Sequence, residues 1–226
     1  MKRPLLVFSP LPPMRSGIAD SCLAQLPYLA QDRQVTVVVS NGNSRRVDRR
    51  DPQLRGIAVI SESAWAAHAG DFADSAALFH LGNSPDCDHV LRACQQASGV
   101  AMLHDYTLHH RRFSTTAGRG DWGGYERLLT QEHGAAAGDM VTAARRFDPG
   151  FAQFVDPLQR DLLRRMRGVL VYSLWAKWRL RGAGIAPVHR LHHPFLPLPQ
   201  AVQSLTRAEA RSRLGLPADA FVVASL

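Results

Sequence analysis

The chain is 226 residues long, 46% apolar and 20% charged, which describes a globular protein with a sizeable core and excludes a disordered one. No apolar run reaches the roughly 18 residues of a membrane-spanning helix, and the opening Met1 to Ser9 carries no secretory cleavage site. The net charge of +8 suits an anionic partner such as a phosphorylated substrate or a lipid head group, although an arginine-rich surface explains it equally.

Much of that charge lies in Arg45 to Arg50 and Arg160 to Arg167. No nucleic-acid motif or aromatic–basic interleaving accompanies it, so no nucleic-acid partner is expected. Cys22, Cys87 and Cys94 form no Cys-x-x-Cys pair, so neither a disulfide framework nor a zinc site is expected, and a reducing cytoplasm is.

Leu5 to Phe8 reads as a short buried strand closed by Ser9-Pro-Leu-Pro-Pro13. A helical face then recurs at Ile18, Cys22, Leu26 and Leu29, with Ser16 as its expected N-cap and Pro27 expected to kink or end it. Val35 to Val39 is a second strand, rich in β-branched residues, and Asn41 to Arg55 an exposed polar loop. Gly56 to Ile60 is a third strand and Glu62 to Ala69 a short helix. Ser75 to Leu81 is a fourth strand, followed by a helix over Asp86 to Ala97 with Val90, Leu91 and Cys94 inward. Val100 to Leu103 is the fifth.

From Tyr106 to about Arg167 the patterning is helical throughout, broken at Gly118 to Gly124 and Phe147 to Gly150. An insertion this long exceeds a simple connection and is expected to form a helical face over one end of the sheet. Val169 to Tyr172 resumes the sheet, Ser173 caps a helix carrying Leu174, Trp175, Trp178 and Leu180, and Val188 to Leu191 is a last short strand. Residues 1–194 thus form one domain and 195–205 a proline-rich linker. Residues 206–226 open another domain, with a helix from Thr206 to Leu214, a Thr206–Glu209 capping box and a buried strand from Ala220 to Leu226. The chain stops inside that strand, so the natural protein is expected to continue. Strand–helix alternation of this kind predicts an α/β, Rossmann-like, doubly wound parallel sheet.

In such a sheet, polar residues just past the carboxyl ends of strands face the ligand crevice. His104-Asp105 stands at one such end, where an imidazole can donate or accept a proton or hydrogen bond near neutral pH; the alternative is a turn with Asp105 capping the next helix. Pro10 to Gly17 follows the first strand. It is neither Gly-x-Gly-x-x-Gly nor a P-loop, but Gly17 sits where free amides at a helix start point outward, unless the loop is an ordinary rigid turn. Gly82-Asn83-Ser84 can present an amide to a sugar hydroxyl or form an Asx turn. His104, Asp105, His109 and His110 invite a metal reading, yet His-Glu-x-x-His is absent and no metal is expected. Gly-x-Ser-x-Gly is also absent, which removes the nucleophilic hydrolase. His192-His193-Pro194 reads as linker chemistry, the alternative being that it faces the crevice.

Ser9 to Asp20, Leu81 to Pro85, Leu103 to His110 and Val171 to Ala176, in that order, resemble the amino-terminal half of glycosyltransferase family 4 enzymes. Arg211 to Ser225 resembles the entry into the second domain of those retaining, GT-B fold transferases. The resemblance implies an amino-terminal domain that holds the acceptor, with a nucleotide-sugar co-substrate held mainly by a carboxy-terminal domain outside this chain. It implies that Gly17 approaches the donor across a cleft, and that His104 bonds a hydroxyl or the developing charge while Asp105 orients it or caps a helix. Position and resemblance together make His104 and Asp105 the catalytic candidates, and Ser16, Gly17, Asn83, Ser84, Tyr106, His109 and Ser173 the donor- or acceptor-binding ones. The implied acceptor is a glycan, a lipid-linked sugar or a small glycoside, with no cofactor. The basic Asp161 to Arg167 segment reads as a packed surface helix, or as peripheral contact with an anionic inner membrane face. Because leaving-group stabilisation would lie in the other domain, this chain alone is expected to be inactive. A non-catalytic binding or regulatory module and a GT-B nucleotide-sugar epimerase are the competing readings.

Overall fold

The computed structural model describes residues 2–146, 150–193, 202 and 204–223, and the chain divides into two compact units, Met1–Pro194 and Phe195–Leu226. The first is built on a parallel sheet with strand order β3-β2-β1-β4-β5-β6-β7. Its strands are β1 (Arg3–Phe8), β2 (Arg33–Val39), β3 (Ala58–Ser61), β4 (Ala76–Leu81), β5 (Val100–Leu103), β6 (Gly168–Val171) and β7 (Val188–Arg190). The α/β, Rossmann-like, doubly wound expectation is met. The order reverses between β1 and β4, which makes their carboxyl ends the topological switch point.

That reversal also decides which face each helix covers, because βαβ crossovers are right-handed. α1 (Gly17–Asp32) and the segment after β2 pack on one face, where Cys22, Leu23 and Leu26 meet Val7, Val35, Val37, Leu78 and Met102. α3 (Glu62–Ala67), α4 (Asp88–Gln96) and α10 (Leu174–Gly182) pack on the other, where Trp65, Val90, Cys94 and Leu180 meet Phe8, Phe79, Leu103 and Val171. Alternate residues of the central strands therefore enter different cores, and strands buried on both faces read as unbroken apolar runs.

Several local expectations are corrected. α1 passes through Pro27 to Asp32. An internal proline costs about 3 kcal/mol, but burying a leucine gains about 1.5–3 kcal/mol, and Leu23, Leu26 and the partly buried Leu29 are all held on the sheet. Ser16 stands at the N-cap position without a side-chain cap bond. The stretch after β2 is not simply an exposed loop: it contains α2 (Asn41–Ser44), a 3-10 turn at Pro52–Leu54, and buried Asn43, Val47 and Leu54.

Between β5 and β6 lie α5 (His109–Thr115), α6 (Trp122–His133), α7 (Ala137–Arg146), α8 (Gly150–Val155) and α9 (Arg160–Leu163). These helices carry their own small core of Tyr125, Leu129, Val141 and Leu158, against which Phe113 and Trp122 pack. α6 begins at Trp122, with Asp121 accepting from the Gly124 amide, so the expected glycine break closes three residues early. Phe147 to Pro149 of the second expected break lie outside the described residues.

In the second unit, α11 (Arg207–Arg213) starts in the expected Thr206–Glu209 capping box and stops at Gly215, whose φ is +65°. The expected strand from Ala220 is not formed over 220–223, where Phe221 is 93% exposed; a strand needs a ladder partner, and the described residues of this unit hold no other strand. The expected linker residues 195–200 lie outside the described residues.

Candidate functional site

All seven strands run the same way, so the turns after β1, β4, β5 and β6 gather on one edge. The loop after β1 is held from inside the fold. The buried Asn43 side chain accepts from the Leu11 amide at 2.9 Å and donates to the Leu11 carbonyl at 3.0 Å, treating the loop as a strand partner. Leu11 is fully buried, while Gly17 at the start of α1 is exposed and Ser16 half-buried.

The turn after β4 fits closely beneath that helix start. A Cβ on Gly82 would meet the tip of the Ile18 side chain of α1 and crowd Asp105 Oδ2, so glycine lets the turns after β1, β4 and β5 meet without either side chain moving. Asn83 then ties two of them together. Its amide donates to Asp105 Oδ2 at 2.7 Å, and its Oδ1 accepts from the Arg111 amide in α5 at 2.8 Å. Ser84 Oγ accepts from the Asp86 amide and starts the 3-10 turn Pro85–Cys87.

Asp105 therefore neither caps α5, whose N-cap position is Leu108, nor bonds the His104 ring. It braces the neighbouring turn. The partner of His104 is a residue that motif reading passed over: His80 Nδ1 lies 3.0 Å from His104 Nε2, with the rings stacked at 5.2 Å. His80 occupies the penultimate position of β4, opposite Met102 in β5, and is fully buried. The signal was present in the sequence. Adjacent parallel strands of one βαβ unit end nearly level, so a histidine just before one end and another just after the next fall together whenever they share a face.

Electrostatics keep both rings neutral. Burial pushes His80 down to about 3, helped by His104; burial pushes His104 down to about 4, with the Asp105 carboxylate opposing and His193 reinforcing the shift. Only one proton can then occupy the contact. His80 Nε2 is buried with no partner among the described residues. A buried N–H without an acceptor is rarer than an under-used acceptor, so the favoured tautomer has His80 Nδ1–H donating to His104 Nε2. This leaves His104 with a protonated Nδ1. The half-buried His104 thus offers a neutral hydrogen-bond donor at the switch point, with Tyr172 tilted beside it at 5.5 Å and His193 beyond at 4.8 Å from Tyr172.

The other candidates divide. Tyr106 stands edge-on to Trp175, with ring centroids 4.6 Å apart. Ser173 caps α10 as expected, its Oγ accepting from the Ala176 amide at 3.0 Å. His109 is fully buried away from the crevice: Nε2 meets Tyr125 Oη at 2.7 Å and Nδ1 the Asp156 carbonyl at 2.9 Å, so no ring nitrogen is left for a ligand. His110 points elsewhere, to Gln153 Oε1 at 2.6 Å. Among the described residues no group of three His, Cys, Asp or Glu side chains is placed to hold a metal ion, and no helix is long and apolar enough to cross a membrane.

No protein-family model matches the chain, and no curated protein matches it. Among solved structures it is similar to Arabidopsis thaliana UGT89C1 complexed with UDP-L-rhamnose, at 15% identity and a TM-score of 0.42, over 90% of this chain and 55% of that one. This chain therefore spans about half the length of that structure. A likeness at this identity and score carries no inference about activity.

Proposed function

We propose that this chain is the acceptor-binding, amino-terminal domain of a metal-independent, retaining glycosyltransferase that uses a nucleoside-diphosphate sugar. The observation that carries this reading is the neutral His104 imidazole, gripped by His80 and presented at the switch point between the Gly17 helix start and the Asn83 turn. A sugar hydroxyl both donates and accepts, so an imidazole N–H can bond it, and a fixed N–H aimed at developing negative charge lowers a barrier without reorganising.

In this reading His104 bonds a hydroxyl of the transferred sugar or the charge that develops beside it. The amides at the start of α1 near Gly17 face the donor phosphates. Asp105, Asn83 and Ser84 keep the turns in register, Asn83 Nδ2 remaining free among the described residues to donate to a hydroxyl. Leaving-group charge is neutralised by a second domain. The acceptor is a glycan, a lipid-linked sugar or a small glycoside, and the exposed Arg164, Arg165 and Arg167 provide peripheral contact with an anionic cytoplasmic membrane face.

The test is to incubate the natural protein that carries this chain with a panel of nucleotide sugars, with and without glycoside acceptors. Transfer or slow donor hydrolysis that His104→Ala removes, with folding intact, supports the assignment. Saccharide binding without turnover on any donor would favour a binding module instead.

A further inference from the structure

A second feature opens between α10 and the segment joining α8 to α9. It is a cleft of about 540 Å³, within the range of roughly 300–1,000 Å³ typical of small-molecule sites. Trp175 and Trp178 form one wall, Tyr106 closes against Trp175, and Gln159 and Asp156 contribute the opposite side. The two indoles are three residues apart and so share a helix face. They are 56% and 66% exposed, which is unusual for the largest apolar side chains in a fold that buries Trp65 to 6%.

Gln159 provides the independent observation. It is 1% exposed, yet neither Nε2 nor Oε1 has a hydrogen-bond partner among the described residues. A buried amide with both ends unpaired is an exception that calls for an explanation, and a ligand carrying hydroxyl groups supplies one, since each hydroxyl both donates and accepts.

The charges in the walls decide the class of that ligand. Asp156 is already engaged by His133 at 2.8 Å and by the Leu158 amide, and Arg160 is held by Glu132 at 2.9 Å. Arg179 lies over the Trp175 ring, 5.9 Å from its centroid. Of the two arginines in the walls Arg160 is thus neutralised, while Arg179 is exposed and has no acidic partner among the described residues. The exposed Trp178 ring, the exposed part of Trp175 and a neutral amide make up the rest, which suits a neutral sugar ring with C–H groups on its face and hydroxyls on its rim.

We propose that this cleft is a saccharide subsite, in which a neutral pyranose ring stacks on Trp175 and Trp178 while its hydroxyls complete the Gln159 amide. Only its description as the acceptor subsite rests on the glycosyltransferase reading; saccharide binding itself does not. Tyr106, two residues beyond His104, links the cleft to the crevice edge, so a glycan held here extends from the reacting end.

The experiment follows tryptophan emission of the natural protein during titration with maltose, cellobiose, chitobiose and α-1,6-mannobiose, with UDP as control, alongside binding to a glycan array. We expect a saturable emission change with at least one disaccharide and array binding of the matching glycans. Truncating an aromatic anchor should weaken binding by about tenfold or more, so Trp178→Ala is expected to do so, and Gln159→Leu by a smaller factor, both with melting temperatures near the parent. An array and titration without saccharide binding, a response to UDP alone, or binding untouched by Trp178→Ala overturns the subsite. Saccharide binding without sugar transfer keeps the subsite and sinks the transferase; transfer with an acceptor KM unmoved by Trp178→Ala does the reverse.

Discussion

Two groups of histidines, one at the sheet edge and one inside the helical insertion, look alike in sequence and do opposite things. In the insertion, His109 spends both ring nitrogens on Tyr125 and the Asp156 carbonyl, and His133 bonds the Asp156 carboxylate at 2.8 Å. That cluster is closed: its polar atoms hold α5, α6 and the turn before α9 together. At the sheet edge, His80 and His104 share one contact, and His104 keeps Nδ1 without a partner among the described residues. Counting nitrogens, rather than histidines, separates structure from a candidate site.

The largest expected effect tests the open group. His104→Ala should lower turnover of the proposed transfer by about 10²-fold or more, the usual result of removing one positioned donor, while the melting temperature moves little because His104 is only half-buried. Steady-state kinetics and calorimetry read both numbers. A variant with near-normal turnover would end the catalytic role.

The closed group should respond the other way. His109→Ala removes a fully buried ring and strands the Tyr125 hydroxyl, so a loss of roughly 2–4 kcal/mol is expected from a cavity plus an unpaired polar group. Denaturant unfolding measures it, and saccharide or nucleotide binding by the folded fraction should be unchanged. Loss of binding without loss of stability would return His109 to the site.

His80→Phe sharpens the contrast at intermediate size. It removes the partnerless Nε2 but also the Nδ1–H that His104 Nε2 accepts, so stability should change by no more than about 1 kcal/mol, the net worth of one neutral hydrogen bond. Turnover should fall about tenfold as His104 loses its fixed tautomer, the cost of losing one positioning contact of about 1.4 kcal/mol. A destabilised variant with full activity would make His80 an ordinary core residue.

Acidification gives a smaller signal with a defined sign. Both histidines are depressed below their ordinary 6.5, to about 3 and about 4. Between those values and 6.5 the unfolded chain binds more protons than the folded one, so their contribution is complete above 6.5 and drains away as pH falls toward 4 and then 3. Melting temperatures recorded from pH 7 to 4 should therefore decline, less steeply in His80→Phe. Nitrogen-15 shifts of the rings at pH 7 supply the finest test: a protonated His104 Nδ1 is expected, and a protonated Nε2 would reverse the tautomer assignment.

The β strands were legible because burial on both faces leaves unbroken apolar runs such as Val35 to Val39 and Val100 to Leu103, and the capping box at Thr206 was legible because its partners are three residues apart. Two misjudged segments share one cause. Pro27 and the polar run 41–55 look disruptive locally, but burial of Leu26, Val47 and Leu54 against the sheet outweighs local preference. The strand expected at 220–223 failed for the converse reason, since an apolar run without a ladder partner has nothing to pair with.

For the site, the sequence alone determined the kinds of residues near the strand ends: Asn83, His104 and Asp105 stand one or two residues past a strand and Gly17 closes the loop after β1, and position along the chain is a local property. Tertiary structure decided what those residues touch. The pairing of His80 with His104, the bond from the Asn83 amide to Asp105, and the Asn43 clamp on Leu11 span 22 to 32 residues. Such contacts depend on strand register and on which face each side chain enters, and these are fixed only when the sheet assembles and both cores close around it.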